Sequence, residues 1–503
     1  MTRLARYLAT AADTGRDGAG PKAALASGTK KVENLGEHSE QIAIVGMACQ
    51  FPGAPDLASF WRLLRDGGSA VGPVPSDRWS MDQFEGNAST EPGTLNCRAG
   101  GFLPRIDQFD PLFFGISPHE AAFMDPQQRL VLETAWAALE GAGLAPDRLA
   151  GTATGVYVGI ATSDYARLRG DVPEMREFYA ATGGSFAIAA NRLSYLLDLR
   201  GPSLAVDTAC SSSLLAVHLA CAGLRQGEIT TAIVGGVNVI LDPEVSVSLA
   251  EGGALSTTGA CHTFDARADG YVRGEGCGVL ILKPLSAARR DGNPILAVIR
   301  GTAVNQDGKS NGLTAPNGLA QEAVIGLALR NAGIRPREIS YVETHGTGTP
   351  LGDPIEVAAL QRVLGTDRSG DEPCFLGSVK ANIGHLEAAA GVAGLIKTVL
   401  ALRHGEIPCQ PTFRTLNPAI DLAGSALVIP TSRVAWPAGP IPRRAGVSGF
   451  GFGGANVHVI VEEAPRVSAQ SAGANMLDHR WQGLLLSAPD AERLRLQCAA
   501  LAE

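Results

Sequence analysis

The chain has 503 residues, 45% of them hydrophobic and 18% charged, with a formal net charge of −8. Such a length exceeds one ordinary domain and can bury a large core, while the acidic balance leaves no basic surface for a nucleic-acid partner. No apolar run is long and uncharged enough to span a bilayer, and nine scattered cysteines without a CxxC pair argue against a disulfide framework or a structural zinc site.

The first residues, MTRLARYLATAADTGRDG, lack the apolar region and cleavage pattern of a signal peptide, so a cytoplasmic protein with no membrane association is expected. Residues 1–38 open on a short turn with Leu4, Tyr7 and Leu8 on one side. They then pass into Gly, Ala, Lys and Asp without a core pattern, which reads as a disordered, flexible leader with no chemistry of its own. From about 39 to 463 strand and helix patterns alternate, the signature of an α/β fold. In the first half, strands are predicted at 42–47, 154–162, 203–208, 232–241 and 278–283, with helices at 59–67, 125–143, 186–199 and 211–224. In the second half, strands at 297–304, 339–344, 374–380 and 455–463 alternate with helices at 319–333, 353–365 and 384–405. Beyond Glu463 the composition turns polar and small, and LLLSAPDAERLRLQCAALAE then begins a new strand and helix. Trp481 and Leu484 to Leu486 are expected to pack on the main domain.

Three junctions in this pattern carry reactive side chains. VDTACSSSL (Val206 to Leu214) sets Cys210 between a predicted strand and a predicted helix. Unpaired N–H groups and the positive end of the helix dipole there would favour a thiolate and offer a donor to an adjacent oxyanion; the alternative is a small buried hydrophobe. VETHGTGTPLGDPIE (Val342 to Glu356) puts His345 at a strand end. GSVKANIGHLEAAAG (Gly377 to Gly391) puts His385 at the head of an alanine-rich helix, with Lys380 five residues upstream. One histidine alone is more often structural than catalytic, but a Cys and two His at element ends form a constellation of the kind that carries chemistry on α/β scaffolds.

Together with the late glycine run GFGFGGANVHVIVEE (Gly449 to Glu463), these motifs resemble the ketosynthase (β-ketoacyl synthase) domain of modular type I polyketide synthases, in the thiolase-like superfamily. IAIVGMACQFPGA, DPLFFGISPHEAAFMDPQQRLVLETAWAALE, FDARADGYVRGEGCGVLILK and NQDGKSNGLTAPNG extend the resemblance over roughly residues 40 to 463. It implies a thiolase-like five-layer α/β/α/β/α domain made of two similar halves. The first, 39–290, would hold the nucleophile and the second, 291–463, both histidines. Residues 464–503 resemble the start of a truncated linker toward an acyltransferase, and 1–38 resemble a docking segment.

The implied reaction transfers an acyl chain from acyl carrier protein to Cys210 and then condenses it decarboxylatively with a malonyl-type extender. No cofactor is bound directly, because the substrates ride on the phosphopantetheine of acyl carrier protein. By resemblance the backbone N–H of Phe452 joins that of Cys210 in an oxyanion hole, with Phe452 and Gly453 bordering the substrate and Phe452 as a gate or an apolar plug. His345 and His385 would hold the enolate oxygen. Thr347 and Thr349 would bond the pantetheine amides or, alternatively, satisfy their own turn. Lys380 is expected to orient His385 through a carboxylate, Glu387 being nearest in sequence, or else to form a structural ion pair. The implied partners are acyl carrier protein domains, adjacent acyltransferase or other synthase modules and a second copy of the chain, paired through the strand leading to the nucleophile. The setting implied is antibiotic biosynthesis. Ala455 stands where Thr or Ser is usual, and Gly184 where Asn is common. A thiolase-like enzyme, a non-elongating ketosynthase and a catalytically silent dimerisation platform are the competing readings. The first lacks a second cysteine in the GFGFGGAN turn, and the others would be favoured by loss of the histidines or of Cys210.

Overall fold

The computed structural model describes residues 40–466, apart from positions within 85–92, 171–176 and 366–371, together with most of 486–502. The leader expected at 1–38, and with it Trp481, Leu484 and Leu485, lies outside the described residues.

Eleven strands join in one mixed sheet. The first half of the chain supplies β1 (Ile42–Gln50), β2 (Thr154–Gly159), β3 (Ser203–Val206), β4 (Thr231–Asn238) and β5 (Gly276–Pro284). The second supplies β6 (Ala297–Gln306), β7 (Tyr341–Glu343), β8 (Cys374–Gly377), β9 (Leu427–Val428), β10 (Arg444–Phe450) and β11 (Ala455–Glu463). Their spatial order is β9-β8-β7-β10-β11-β6-β1-β5-β4-β2-β3. In the first half β3, β2 and β4 run parallel, and β5 and β1 follow antiparallel. In the second, β8, β7 and β10 run parallel, and β11 and β6 follow antiparallel. The same pattern occurs twice, and the halves meet where Ile42, Ala43 and Ile44 of β1 pair antiparallel with Ile299, Val298 and Ala297 of β6.

Strand alternation distributes the side chains among three cores. On β1, Val45 packs outward with Leu132 and Ala138 of α1 (Pro126–Gly141) and Leu193 of α2 (Phe186–Leu196). Its neighbour Ile44 packs inward with Leu214 and Val217 of α3 (Ser212–Gln226) and Ile396 and Val399 of α6 (Ala390–His404). On the far side, Ala303, Val342 and Ile460 pack under Val324 and Leu329 of α4 (Gly318–Ala332) and Leu360 of α5 (Gly352–Leu364). The result is the expected layered α/β/α/β/α fold, with α3 and α6 between the two half-sheets. Every residue of α6 from Ala390 to Leu402 is buried, as its apolar circumference requires of a central helix. Its single charge within that run, Lys397, is neutralised by Glu343 at 2.8 Å.

The structure adds several elements to those expected, and three departures bear on the site. β10, RAGVSGF, was not predicted, because two glycines and a serine weaken its intrinsic strand signal. Tertiary approach explains them: a Cβ on Gly446 would come within 2.6 Å of His458 and one on Gly449 within 2.9 Å of Leu214. A 3₁₀ turn, Ala209–Ser211, precedes α3, and a second, Glu387–Ala389, precedes α6. Both reactive junctions are therefore tighter than a simple helix start. Past the main domain, α7 (Ala491–Ala502) forms within the helix expected there, with Arg493 on Asp110 at 3.0 Å.

The central helices touch where Gly391 of α6 faces α3, since a Cβ there would lie 2.5 Å from Leu214 Cγ. Gly391→Ala should therefore overpack the middle layer and cost about 1–3 kcal/mol, read as a lower denaturant midpoint with an unchanged slope. An unchanged midpoint would mean the layer yields freely.

Candidate active site

The chemistry-bearing residues collect at the C-terminal ends of corresponding strands in the two halves. Cys210 follows β3, and Lys380 and His385 follow β8, which occupies the equivalent place. His345 follows β7, and Phe452 follows β10.

Cys210 sits on a sharp turn. Ala209, just before it, has φ 55°, a left-handed conformation that costs an alanine on the order of 1–3 kcal/mol and is held by surrounding bonds. Asp207 accepts from the Ala209 N–H at 2.9 Å, Ser212 Oγ donates to the Ala209 carbonyl at 2.6 Å, and the Thr208 N–H donates to Ser212 Oγ at 2.9 Å. Ser213 Oγ accepts from the Val392 N–H at 3.0 Å, wiring the turn to α6. The serine run is thus a buried scaffold, each of Ser211, Ser212 and Ser213 being fully covered.

The turn at 451–454 lies against this scaffold, so closely that a Cβ on Gly451 would collide with the Thr208 carbonyl. The backbone N–H groups of Phe452 and of Cys210 itself are among the influences that oppose the rise of the thiol. The Phe452 side chain is 59% exposed, so it does not plug the interior, and Gly453 has open space beside it. Ala455 begins β11 and its carbonyl accepts from the Gly451 N–H at 2.8 Å, a backbone contact that needs no hydroxyl. Gly184 closes the helix Phe178–Gly184 beside Arg169, where a Cβ would lie 2.7 Å from Nη2.

The expectation of a favoured thiolate is corrected. Burial is the largest influence on the Cys210 thiol and pushes it up to about 12, Glu387 adds to the rise, and Lys380 and the two N–H groups only partly oppose it.

The histidine rings stand edge-on, with centroids 5.6 Å apart and planes at 82°. His345 Nδ1 accepts from the Phe450 N–H at 3.4 Å, and His385 Nδ1 accepts from the Glu387 N–H at 2.9 Å. Both bonds select the tautomer with the proton on Nε2. His385 Nε2 is buried with no partner among the described residues. Burial first, and Lys380 second, hold both imidazoles well below the ordinary histidine range, so both are neutral donors.

Backbone anchors fix them. The N–H groups of His345 and Gly346 donate to Glu356 at 2.7 and 2.8 Å. The His385 N–H donates to the Val272 carbonyl at 2.8 Å.

Lys380 is buried, and the carboxylates that support its charge are Glu343 and Glu356, with Cys210 also in range. The relay expected from Lys380 through Glu387 to His385 is therefore corrected. Glu387 is bound by Arg273, Nε to Oε1 at 2.5 Å and Nη2 to Oε2 at 3.0 Å, a fork that takes both oxygens. Thr347 and Thr349 bring their hydroxyls within 3.2 Å of each other, and Thr349 Oγ1 accepts from the Gly352 N–H at 3.1 Å, so Thr349 at least serves its own turn.

Arg273, Glu343 and Glu356 escaped sequence reasoning. Glu356 ends the HGTGTPLGDPIE motif and Arg273 lies in GYVRGEG, but only the folded contacts separate them from other charged residues. Among the described residues no group of three or more His, Cys, Asp or Glu could hold a metal ion, and no helix is long and apolar enough to cross a membrane. A cleft of about 860 Å³ between Phe51, Phe109, Leu112 and Arg493 is lined by none of the site residues.

Comparison with known proteins supplies the context. Residues 39–288 match the β-ketoacyl synthase N-terminal domain, 296–414 its C-terminal domain and 417–503 the ketoacyl-synthetase C-terminal extension. The chain is 52% identical over 436 residues to a phenolphthiocerol/phthiocerol polyketide synthase polypeptide of Mycobacterium tuberculosis, covering 86% of this chain and 24% of that protein. With another polypeptide of the same synthase it shares 49% over 466 residues, 92% of this chain and 30% of the other. The chain thus spans about a quarter of the length of the curated relatives it matches. Among solved structures, an oxazolomycin ketosynthase domain from Streptomyces albus superposes with TM-score 0.84 at 42% identity, covering 92% of this chain and 80% of that one. The ketosynthase from module 6 of the bacillaene synthase of Bacillus subtilis 168 gives 0.79 at 42% identity, covering 85% and 73%.

Proposed function

Since the chain belongs to the β-ketoacyl synthase family and is a ketosynthase domain of the polyketide-synthase kind, we propose that Cys210 is its acyl acceptor and that His345 and His385 activate a malonyl-type extender. The observation that carries this is the buried Nε2 of His385, without a partner among the described residues, beside the ring of His345.

In the first half-reaction the Cys210 sulfur attacks an acyl thioester on the phosphopantetheine of acyl carrier protein. The tetrahedral oxyanion is held by the N–H groups of Cys210 and Phe452, and its collapse expels the carrier sulfur, which takes up the proton that the Cys210 thiol gives up. In the second, the extender thioester loses carbon dioxide and the electrons of the broken C–C bond form an enolate. The two Nε2–H donors hold that oxygen. The enolate carbon then attacks the acyl-Cys210 carbonyl, and the sulfur leaves. Lys380 adds its charge to the burial that keeps both rings neutral. Thr347 and Thr349 face the pantetheine amides, with Phe452 and Gly453 at the entrance.

The 39–290 and 291–463 halves contribute the nucleophile and the histidines respectively, and 464–503 begins the connection to a following domain such as an acyltransferase. The protein works as a cytoplasmic homodimer among carrier-protein domains and neighbouring synthase modules in antibiotic-type polyketide biosynthesis. The free outer edge of β3, with Leu204 43% exposed and nearby Tyr195 83% exposed, supports the dimer.

Wild-type protein should gain one acyl mass from acyl-pantetheine thioesters and then yield a β-ketoacyl product with malonyl carrier protein. Acylation without any condensation across a broad acyl panel would replace this reading with acyl passage alone.

A further inference from the structure

Glu387 is one of four non-glycine residues with a left-handed backbone among the described residues, at φ 48°. That conformation is unfavourable for any side chain with a Cβ and persists only where surrounding contacts impose it. It falls at the residue whose N–H donates to His385 Nδ1 at 2.9 Å, and it sets the path of the chain from that bond into the 3₁₀ turn and α6. Arg273 supplies the restraint, donating to both carboxylate oxygens of Glu387 at 2.5 and 3.0 Å and, through Nη1, to Ser246 Oγ at 2.8 Å.

We infer that Arg273 is a positioning residue for His385: its grip on Glu387 locks the 385–387 turn, which fixes the imidazole tautomer and leaves the proton on Nε2.

The backbone separates this role from general support. Residue 385 is already anchored to the neighbouring segment without the guanidinium, since its N–H donates to the Val272 carbonyl and its carbonyl accepts from the Gly274 N–H, both at 2.8 Å. The side-chain fork therefore adds a restraint on Glu387 that the bridge at 272–274 lacks. A lysine could not replace it, being a point charge without the planar fork. Nor does the device need a charge in principle: a glycine at 387 adopts positive φ without cost and still presents an N–H.

The inference rests on His385 acting as an Nε2–H donor in condensation, and the test uses variants that separate the two ideas. Arg273→Met should lower the condensation kcat by roughly 10–100-fold, the range for outer-shell partners of functional histidines, with KM changed less than about threefold and the loss falling on condensation rather than on Cys210 acylation. Arg273→Lys should lie between it and wild type. The double variant R273M/E387G, which removes both charges and restores an unstrained left-handed turn, should recover at least about tenfold over R273M. The substrates are the acyl-pantetheine thioester that wild type accepts best and malonyl carrier protein, with thermal melts confirming folding. If R273M does not fold, R273K and the double variant carry the comparison, the double being expected to exceed R273K. Equal losses of acylation and condensation, or a double variant no better than the single ones, overturn the inference while wild type still condenses. A wild type that acylates but never condenses removes the functional reading and this inference together.

Discussion

Alanine at position 210 should leave a folded protein that takes up no acyl group at all. The intact mass of C210A should stay constant under the thioester that adds one acyl mass to wild type, and product formation should fall by about three orders of magnitude or more, as for loss of any obligatory nucleophile. The expectation follows from the turn at Ala209, whose left-handed backbone is held by Asp207 and Ser212 immediately before this residue. None of the other eight cysteines shares such a setting, and those of the main domain lie buried except Cys409. A second property accompanies the first. Since burial pushes the thiol up to about 12, the free protein holds almost no thiolate at neutral pH. Alkylation of Cys210 by iodoacetamide should accordingly climb about tenfold per pH unit between 7 and 9, because only the thiolate reacts. A plateau reached by pH 8 would show a depressed thiol instead and would contradict this account of the site.

Replacing His345 or His385 by alanine should cut the condensation kcat by about 10²–10³-fold each, the scale for removing one preorganised donor from a developing oxyanion. Cys210 should still be acylated in both variants. If H385A loses acylation yet keeps extender decarboxylation, the role given to that ring is wrong. Burial, followed by Lys380, holds both imidazoles well below 6.5, so condensation should show no step near pH 6.5. The sign for stability follows by linkage. Below about 6.5 the unfolded histidines bind protons that the folded ones refuse, so stability falls as pH falls; above it neither state binds them and the contribution is level. H345A and H385A should each flatten that acid slope in urea titrations.

Much of the fold was legible because it rests on local periodicity. The apolar runs of α6 and β1 and the alternation of β11 mark their elements without tertiary help. β10 was invisible because Gly446 and Gly449 answer to His458 and Leu214, which approach them only in the folded chain. The thiolate expected from the helix start failed for a related reason: a dipole at a turn is local, whereas desolvation is a property of everything packed around the sulfur. Lys380 and Glu387 show the same limit. Seven residues apart in sequence, they part company in the fold, Glu387 going to Arg273 and Lys380 facing Glu343 and Glu356.

By itself the sequence determined the α/β class, the family resemblance and the three junctions at Cys210, His345 and His385, because residue type and short-range pattern encode those. The tertiary structure alone decided that the two half-sheets bring those junctions together, that Arg273 rather than Lys380 grips Glu387, and that both imidazoles are neutral with the proton on Nε2. The Arg273–Glu387 fork and the Phe450–His345 bond join residues more than a hundred positions apart, which only the packed chain brings into contact.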